Sequence, residues 1–524
     1  MKINRVLLSV NDKRGLLGLA KCLHAHNCEL ISTGGTGKCL SEAGIPFTEI
    51  SKITGKPEAF GGRMKSISFE IESAILFDRV RDKDEAANLH ILPIDMVVCN
   101  LYDFKKYKDE NADLGTLIEH IDIGGSAAIR SAAKNFMYVA PVTDPDDYPE
   151  LISELNSLNG SLSLKTRKKL MAKAFNLTAD YDSMIAQAMD QHCGNSSLRI
   201  SLTSGKDLRY GENPHQPAKF YKVAGSASSL YNINVLNGIG LSYNNILDLQ
   251  AAVESVSGLR RQSCVIVKHS NPCGMASGDN QKKVFELAWA GDPISAFGGI
   301  VAFNVPVSVD TISFLGYDDP DKSKRRFIEI IAAPSFNADA LKILNTQKNL
   351  RIVEWRPDML SSSNEIRITN GLALVQAKDS QLFSYMNLMT KKLFNVAEYS
   401  DIIKFGLVAV RQIKSNAIAV VQKRQDGTFQ LLGMGSGQPN RLDSINLALN
   451  KARYNFDVES PNGHYIVLVS DAFFPFEDNV DAAFKAGIKI LVQPGGSIRD
   501  KHVIARADEL GINLIFTGIR HFKH

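Results

Sequence analysis

A lysine and a histidine stand side by side at the end of an apolar run, where a base could act beside a cation. The run Cys264 to Lys268 is followed by His269-Ser270-Asn271-Pro272-Cys273-Gly274. Open α/β sheets usually build their sites at strand ends, and an ammonium next to an imidazole favours its neutral, basic form. A lone histidine is more often a core residue, and Cys273 is interpreted as a packing residue.

Other segments of the same region have the composition of binding loops. Leu208 to Gln216 combines a cation, an aromatic ring and an imidazole around Gly and Pro, and Gly433 to Arg441 is a glycine-rich loop ending in a guanidinium. Asp471 to Asn479 holds three phenylalanines and three carboxylates, which suit either a flat heteroaromatic ligand or an aromatic corner of the core. The terminal Arg520 to His524 either frays or folds back into a site.

Phosphate chemistry is expected nearer the N-terminus. Ser32 to Thr36 lies between a predicted strand and a predicted helix, where free N–H groups can hold an anion. Asn11-Asp12-Lys13 follows the first strand, and the loop Gly61 to Ser66 carries two cations. Arg130 and Lys134 are four residues apart on a predicted helix and can point at one site, although a solvated helix face is the alternative.

Alternating strands and helices must position these groups. Arg5 to Val10, Glu29 to Thr33 and Met96 to Leu101 are predicted strands, and Leu16 to Leu23 has helical spacing. This alternation predicts a parallel sheet covered by helices. The second region is also predicted to be α/β, with strands at Cys264–Lys268, Gly299–Phe303 and Tyr465–Ser470 and a helix at Val480–Ala486.

A polar stretch after a long helical pattern marks the expected domain boundary. The helical pattern covers Thr166 to Met189, and the linker candidate is Gln191 to Ser197. We expect domains at residues 1–195 and 200–524, the second divided near 370–400. An internal echo between Val267 to Asn271 and Gln412 to Asn416 suggests two similar subdomains.

Composition narrows the class of protein. The 524 residues are 44% hydrophobic and 22% charged with a net charge of +4, so we expect a globular protein with small anionic ligands and no nucleic-acid partner. Seven cysteines without a CxxC pair favour reduced thiols. The chain shows no signal peptide and no long apolar run, so we expect a cytoplasmic protein without a membrane partner.

Six ordered motifs identify a family. RYGENPHQ, KHSNPCG, DPISAFGG, KSNA, GMGSGQPNR and DAFFPFEDNVD resemble those of the bifunctional phosphoribosylaminoimidazolecarboxamide (AICAR) formyltransferase and IMP cyclohydrolase, over nearly the whole chain. The resemblance implies a methylglyoxal-synthase-like parallel-sheet domain and then two cytidine-deaminase-like α/β subdomains. It also implies 10-formyltetrahydrofolate as co-substrate, AICAR, formyl-AICAR (FAICAR), IMP and folate as ligands, and a homodimer.

The same resemblance assigns roles in formyl transfer. His269 would be the catalytic base or proton relay, assisted by Lys268 and Asn416. The residues that would hold the imidazole ribonucleotide are Arg209, Tyr210, Gly298, Glu329, Arg441, Phe473 and Arg520. The residues that would hold the folate are Asp478, Ser497 and Leu442.

Roles in ring closure follow in the N-terminal domain. Lys134 would be the acid–base residue, assisted by Lys65, Tyr102 and Asp122. The residues that would hold the nucleotide are Asn11, Asp12, Lys13, Thr33, Gly34, Gly35, Thr36, Arg63, Ser66, Cys99, Asn100 and Ile123.

This domain departs from the family pattern, whereas the formyltransferase motifs show no comparable change. Where the family usually reads GGRVKTLHPKIHGG, residues 61–74 read GGRMKSISFEIESA, and Asp103 and Phe136 replace a proline and a histidine. Because lost site-shaping groups disturb preorganisation, we expect cyclisation that is weaker or differently supported.

Three other functions compete with this one. A hydrolytic deaminase needs PCxxC and HxE-type zinc segments, which the sequence lacks, so no zinc or other metal is expected. An N-terminal domain that only binds nucleotide or phosphate is compatible with the departures, but the retained Lys65, Asp122 and Lys134 oppose it. A non-enzymatic carrier would need no base beside a cation at a strand end.

Overall fold

The computed structural model describes residues 1–224, 229–360, 364–455 and 466–524. The chain divides into two compact units, Met1–Ser201 and Leu202–His524. The predicted strand start at Tyr465 lies outside the described residues.

A parallel sheet forms the centre of the first unit. Its five strands have the order β3-β2-β1-β4-β5 and all neighbours are parallel. The strands are apolar and mostly buried, as expected when helices cover both faces. Their bounds are β1 Arg5–Val10, β2 Glu29–Ser32, β3 Thr48–Glu49, β4 Met96–Asn100 and β5 Ala140–Val142.

Helices of this unit begin at polar caps. The side chains of Asp113, Asp122 and Ser163 each accept a hydrogen bond from a backbone N–H in the first turn of their helix. The bounds are α1 Leu16–Ala25, α2 Gly34–Glu42, α3 Ser51–Thr54, α4 Phe69–Leu76, α5 Lys83–Asn88, α6 Phe104–Asp109, α7 Leu114–Glu119, α8 Ile123–Lys134, α9 Tyr148–Ser157 and α10 Leu164–His192. The predicted strands of this unit are confirmed, two of them ending one residue early.

In the described part of the second unit, twelve strands form one mixed sheet, with the order β16-β21-β20-β19-β17-β18-β10-β9-β11-β12-β13-β8. Two further hairpins, β6-β7 and β14-β15, stand apart from it. The bounds are β6 Leu202–Asp207, β7 Lys219–Val223, β8 Asn234–Asn237, β9 Gln262–Lys268, β10 Asn271–Gly278, β11 Ile300–Phe303, β12 Ile330–Ala333, β13 Arg351–Glu354, β14 Glu365–Thr369, β15 Leu372–Gln376, β16 Asn387–Leu388, β17 Ile418–Lys423, β18 Phe429–Gly435, β19 Ile466–Ser470, β20 Ile490–Gln493 and β21 Asn513–Phe516.

Helices cover both faces of this sheet. Residues of α11 and α16 pack on one face, and those of α12, α14 and α15 and of α17 to α19 pack on the two halves of the other. The bounds are α11 Tyr243–Ser257, α12 Gln281–Gly291, α13 Pro293–Ala296, α14 Val309–Ser313, α15 Ala338–Leu344, α16 Val396–Gln412, α17 Arg441–Ala452, α18 Asp478–Lys485 and α19 Asp500–Glu509.

The two halves of the large sheet have the same topology on either side of the central pair of strands, β10 and β18. Outward from that pair, one half runs β9, β11, β12, β13, β8 and the other runs β17, β19, β20, β21, β16, with the same sequence of antiparallel and parallel neighbours. Gly274 and Gly435 repeat as well, because a Cβ on either would lie 1.9 Å from a carbonyl oxygen of the covering helix. The predicted α/β class, with two related halves after a parallel-sheet domain, is confirmed.

The sequence echo does not mark equivalent positions in this repeat. Lys268 to Asn271 forms the turn after β9, whereas Lys414 to Asn416 precedes β17. The repeat would instead pair the first segment with the turn between β17 and β18. The two segments nevertheless lie at one edge of the sheet, where they are in contact.

Candidate active sites

The His269 turn is held by a carboxylate from a helix. Asp248 of α11 accepts hydrogen bonds from the backbone N–H groups of His269 at 3.2 Å and Ser270 at 2.6 Å. Both residues have positive φ, 52° and 60°, which is uncommon outside glycine and costs free energy. The Asp248 contacts stabilise this turn and leave the His269 side chain exposed at the sheet edge.

Lys268 lies against the loop before β11. Its Nζ donates to the Phe297 carbonyl oxygen at 2.5 Å, and a Cβ on Gly298 would be 3.4 Å from that Nζ. Gly298 has a φ of 72°, and its N–H donates to Phe327 O at 2.8 Å. Glycine therefore leaves the ammonium room beside the predicted base.

A second cluster surrounds Glu329 at the same edge. The Glu329 carboxylate accepts from Asn245 Nδ2 at 3.0 Å and lies 3.6 Å from Arg351 Nη1. The Arg351 guanidinium has a lowered pKa, mainly because it is buried, and it senses the charges of Arg209 and Tyr210. The structure thus places Arg209, Tyr210 and Glu329 in one neighbourhood.

Asn416 and Arg441 form a buried polar core in the other half of the sheet. Arg441 donates through Nη2 to Asn416 Oδ1 at 2.7 Å and through Nη1 to Ser470 Oγ at 2.8 Å and to Asp471. Arg441 is 6% exposed and Asp471 is fully buried. Much of the Arg441 guanidinium is therefore committed to orienting Asn416, a role that the sequence did not predict.

The C-terminal segment folds back onto this core. Ser415 N donates to Lys523 O at 2.9 Å, and Lys523 N donates to Ser415 Oγ at 3.1 Å. Ser415 Oγ in turn donates to Asp471 Oδ2 at 2.6 Å. Buried His521 contacts Asp379 and the Leu382 carbonyl. The alternative of a frayed end is wrong, and exposed Arg520 belongs to an anchored segment.

Asn271 joins the two halves of the site. Its Oδ1 accepts from Lys414 N at 3.1 Å and from Ser436 Oγ at 2.7 Å, and its Nδ2 donates to His269 O at 2.9 Å. The His269 turn and the segment carrying Asn416 are therefore connected through one side chain. The sequence predicted both segments but not their direct contact.

The predicted folate residues lie in or beside three helices, α17, α18 and α19. Asp478 begins α18, and Ser497 Oγ accepts a hydrogen bond from Arg499 N in the turn before α19. The segments before these two helices are in contact, because the Arg499 guanidinium lies 4.9 Å from the Phe476 ring centre. Phe473 is half-buried and Leu442 lies in the first turn of α17, whereas Phe474 is a core residue. The aromatic motif thus contributes both to the core and to an accessible face.

In the first unit, two ammonium groups lie beside the N-terminus of α2. A Cβ on Gly34 would be 3.9 Å from Lys65 Nζ, and one on Gly35 would be 3.9 Å from Lys13 Nζ. Free N–H groups of a helix N-terminus beside two cations favour a phosphate. Thr36 Oγ1 bonds the backbone of Val10 and so fixes this turn to β1.

Asn100 fixes the neighbouring loop. Its Oδ1 accepts from Asn11 N at 2.7 Å and Asp12 N at 2.9 Å, and its Nδ2 donates to Asp12 O at 2.9 Å. A cavity of about 430 Å³ opens beside Thr33 and Lys65, large enough for part of a nucleotide. Its other lining residues are Glu49, Ile50, Ser51, Gly55, Lys56, Pro57 and Glu58.

Asp122 stands at the start of α8 opposite Lys65. Burial raises the pKa of this carboxyl group, while the Gly125 N–H, the charge of Lys65 and the Tyr102 N–H act in the opposite direction. The Gly125 N–H donates to Asp122 Oδ1 at 2.7 Å. A partly buried carboxyl group with a raised pKa beside a cation is suited to proton transfer. Buried Cys99 also senses the Asp122 charge.

Lys134 lies away from that cluster, whereas Ile123 directly follows Asp122 in the chain. Lys134 is at the far end of α8, roughly 18 Å from Asp122 at 1.5 Å per residue. It is exposed, as is Arg130, whose guanidinium lies over Phe175. Arg63 pairs with Glu119, and Ile123 is exposed. The structure brings Lys65 and Asp122 together but not Lys134.

The residues that depart from the family pattern have structural roles. Ser68 caps α4 by accepting from Ile71 N at 3.2 Å, and Glu72 Oε2 accepts from Ser131 Oγ of α8 at 2.6 Å. Asp103 caps α6 by accepting from Lys106 N at 3.1 Å. The Phe136 carbonyl accepts from Arg167 at 2.8 Å. The side chains of Ser68, Glu72 and Asp103 thus help to hold the elements that carry the predicted cyclisation residues. The Phe136 contact is made by its backbone alone.

Sequence reasoning missed Asp248, Ser415 and Asp471 as positioning groups. Ser415 and Asp471 lie inside quoted motifs, so their polar character was an available signal. Asp248 lies 21 residues before His269 in an unremarked helix, and only the fold brings it to the turn. Across the described ranges, no group of three or more His, Cys, Asp or Glu residues could hold a metal ion, and no helix could span a membrane.

The chain is a two-unit α/β protein, with two ammonium groups beside a helix N-terminus in one unit and a histidine beside a lysine at a strand end in the other. Family models match as "MGS-like domain" over residues 15–127 and as "AICARFT/IMPCHase bienzyme" over residues 132–451. The chain belongs to the AICARFT/IMPCHase bienzyme family.

Full-length relatives agree with this assignment. The "Bifunctional purine biosynthesis protein PurH" of Clostridium botulinum (strain Okra / Type B1) is 42% identical over 100% of both chains. The protein of the same description from Persephonella marina is 42% identical over 99% of both. A solved structure described as "Crystal structure of ForH" is 31% identical, with a TM-score of 0.32, over 36% of this chain and 99% of that one.

Proposed function

We propose that this enzyme transfers the formyl group of 10-formyltetrahydrofolate to AICAR and then closes the FAICAR ring to IMP. The observation that carries the proposal is the His269 turn, held by Asp248 beside Lys268 and connected through Asn271 to the Asn416 segment. Family membership and full-length relatives named as bifunctional purine enzymes support both reactions.

In the first reaction the 5-amino nitrogen of AICAR attacks the formyl carbon, and the bond from that carbon to N10 of the folate breaks. The amine is a weak nucleophile because its ring carries a carboxamide, so it must lose a proton as it attacks. His269 accepts this proton and returns it to N10 as tetrahydrofolate leaves, and Lys268 stabilises the negative charge that develops on the formyl oxygen. Asn416, oriented by Arg441, supplies a further polar contact.

In the second reaction the carboxamide nitrogen attacks the formyl carbon and water leaves. Lys65 and Asp122 are the best-placed groups, because the structure gathers them beside the α2 phosphate turn. Asp122 takes the amide proton while Lys65 stabilises the charge that develops on the former formyl oxygen. Asp122 then returns this proton to that oxygen, which leaves as water with a second proton from the formylamino nitrogen. The distant Lys134 has no part in this cluster within one chain.

A second candidate is formyl transfer alone, with an N-terminal unit that only binds nucleotide. The changed residues of the 61–74 segment favour it. The discriminating experiment supplies purified FAICAR without folate and follows IMP. Steady IMP formation supports the bifunctional proposal, whereas tight IMP binding without turnover supports the binding unit.

We also infer a homodimer. All residues of the hairpin β14-β15 are exposed, including Ile368 at 74% and Leu374 at 62%, and an isolated two-stranded hairpin is marginal in water. A second copy would bury these apolar side chains. Sedimentation equilibrium should give twice the chain mass, and I368K with L374K should give the single chain mass.

The seven free thiols are consistent with the reducing cytoplasm, where we place the protein.

A further inference from the structure

The buried hydroxyl of Tyr181 bridges the turn that leads into Asp122. It accepts a hydrogen bond from Asp122 N at 2.9 Å and donates one to His120 O at 3.1 Å. The side chain is 5% exposed, and burial raises its pKa to about 12, so the hydroxyl remains protonated at neutral pH. One side chain from α10 thus satisfies two backbone groups of a turn far away in sequence.

The ring of the same residue contacts the segment that follows Tyr102. Tyr181 and Phe104 pack edge to face with ring centres 6.3 Å apart, and both belong to a small core with Leu117 and Ala188. Phe104 begins α6 directly after Asp103. Tyr181 therefore contacts both loops that carry predicted cyclisation residues.

We propose that Tyr181 is a positioning residue for ring closure, which holds the His120–Asp122 turn so that the Asp122 carboxyl group keeps its partly buried position opposite Lys65. The inference rests on the proposed role of Asp122 in cyclisation. Without the hydroxyl, Asp122 N–H and His120 C=O lose a buried partner, and the turn opens to find water. The carboxyl group moves with it, since Asp122 is also the cap of α8.

The test is Tyr181→Phe, which removes the hydroxyl and retains the ring. We expect kcat for FAICAR cyclisation to fall roughly tenfold with KM within about twofold, because misplacement affects the reacting group more than phosphate binding. Formyl transfer should be unchanged. The matched control is Tyr317→Phe, which removes a buried hydroxyl that donates to Arg326 O at 2.9 Å in the other unit.

A pH profile separates positioning from general loosening. The charged and titratable groups that face Asp122 are Lys65, Cys99, Tyr102 and Tyr181. Its raised pKa reflects burial, so solvation in the variant lowers it. If ionised Asp122 is the active form, the acid limb of cyclisation then moves to lower pH by about half a unit or more.

A double-mutant cycle with Asp122→Asn completes the design. If Tyr181 acts through Asp122, Tyr181→Phe should cause little further loss in the Asp122→Asn background. A reduced melting temperature with an unshifted pH profile, or additive losses, would overturn the inference. A wild-type enzyme that does not convert FAICAR to IMP would instead refute the proposed cyclisation, and this inference with it.

Discussion

The two candidate sites are held in different ways. In residues 202–524, motif residues position one another through buried contacts such as Arg441 with Asp471 and Asn271 with Ser436. In residues 1–201, helix caps and residues that depart from the family motif hold the reactive groups, as Ser68 and Glu72 do. The difference teaches that a site can retain its reactive groups while the residues that support them are exchanged.

The largest expected effect tests whether the two reactions are separable. His269→Ala should lower formyl transfer by about 10² to 10⁴, the range expected for loss of a general base. Cyclisation of supplied FAICAR should not change. The control is His502→Ala, since His502 is an exposed histidine of α19 in the same unit. Equal loss of both activities would break the comparison, because it would place both reactions at one site.

The second prediction concerns the buried ion pair between Arg441 and Asp471 and its contribution to the free energy of unfolding. Asp471→Asn leaves Arg441 buried without its anionic partner, which should destabilise the fold by about 3–5 kcal/mol. Denaturant unfolding of the full chain measures this. Glu42→Gln breaks the exposed Lys38–Glu42 pair and should cost under about 1 kcal/mol. Similar losses in the two variants would show that the second site is not held by its buried pair.

The two lysines of the first unit should differ. Lys65→Ala should lower cyclisation by about 10²-fold, because it removes charge stabilisation beside Asp122. Lys134→Ala should have a much smaller effect in one chain, since Lys134 lies at the far end of α8. Initial rates of IMP formation from FAICAR check both. A larger loss in Lys134→Ala would return the acid–base role to that residue and would require a different arrangement of the site.

The smallest expected effect concerns the hydrogen bond between Ser131 and Glu72 in the first unit. Ser131→Ala removes the hydroxyl that donates to Glu72 and should lower kcat for cyclisation by a few-fold while stability falls by about 1 kcal/mol. Ser157→Ala serves as control, since Ser157 Oγ donates to a carbonyl at the exposed end of α9. An unchanged rate in Ser131→Ala would mean that Glu72 is not part of the support for this site.

Sequence patterns predicted the strands because apolar periodicity is a local signal, and dense polar motifs indicated the candidate site residues. They predicted β1 completely and placed Lys268 and His269 at a strand end. They could not show that Asp248 or Tyr181 reach their sites, because those contacts cross 21 and 59 residues of chain. The sequence similarity between Val267–Asn271 and Gln412–Asn416 also failed to show the repeat, because only the fold shows that the two segments occupy non-equivalent positions.

The repeat in the large sheet gives a second comparison. One edge carries the His269 turn, whereas the equivalent turn at the other edge is occupied by ion pairs. There Arg261 pairs with Asp279 and donates to Gly427 O at 2.6 Å, and Lys283 pairs with Asp426. The two turns therefore join equivalent strands, and among the described residues the candidate base His269 lies in the first of them. Motif density, rather than fold, distinguishes them.

A time course of both reactions tests most directly whether the chain couples formyl transfer to ring closure. Purified protein is incubated with AICAR and 10-formyltetrahydrofolate, and free tetrahydrofolate, FAICAR and IMP are followed separately over time. We expect tetrahydrofolate and IMP to rise together after a short lag, while FAICAR stays low. Release of tetrahydrofolate with accumulating FAICAR and no IMP would contradict this expectation, because the first unit would then lack the cyclising activity assigned to Lys65 and Asp122.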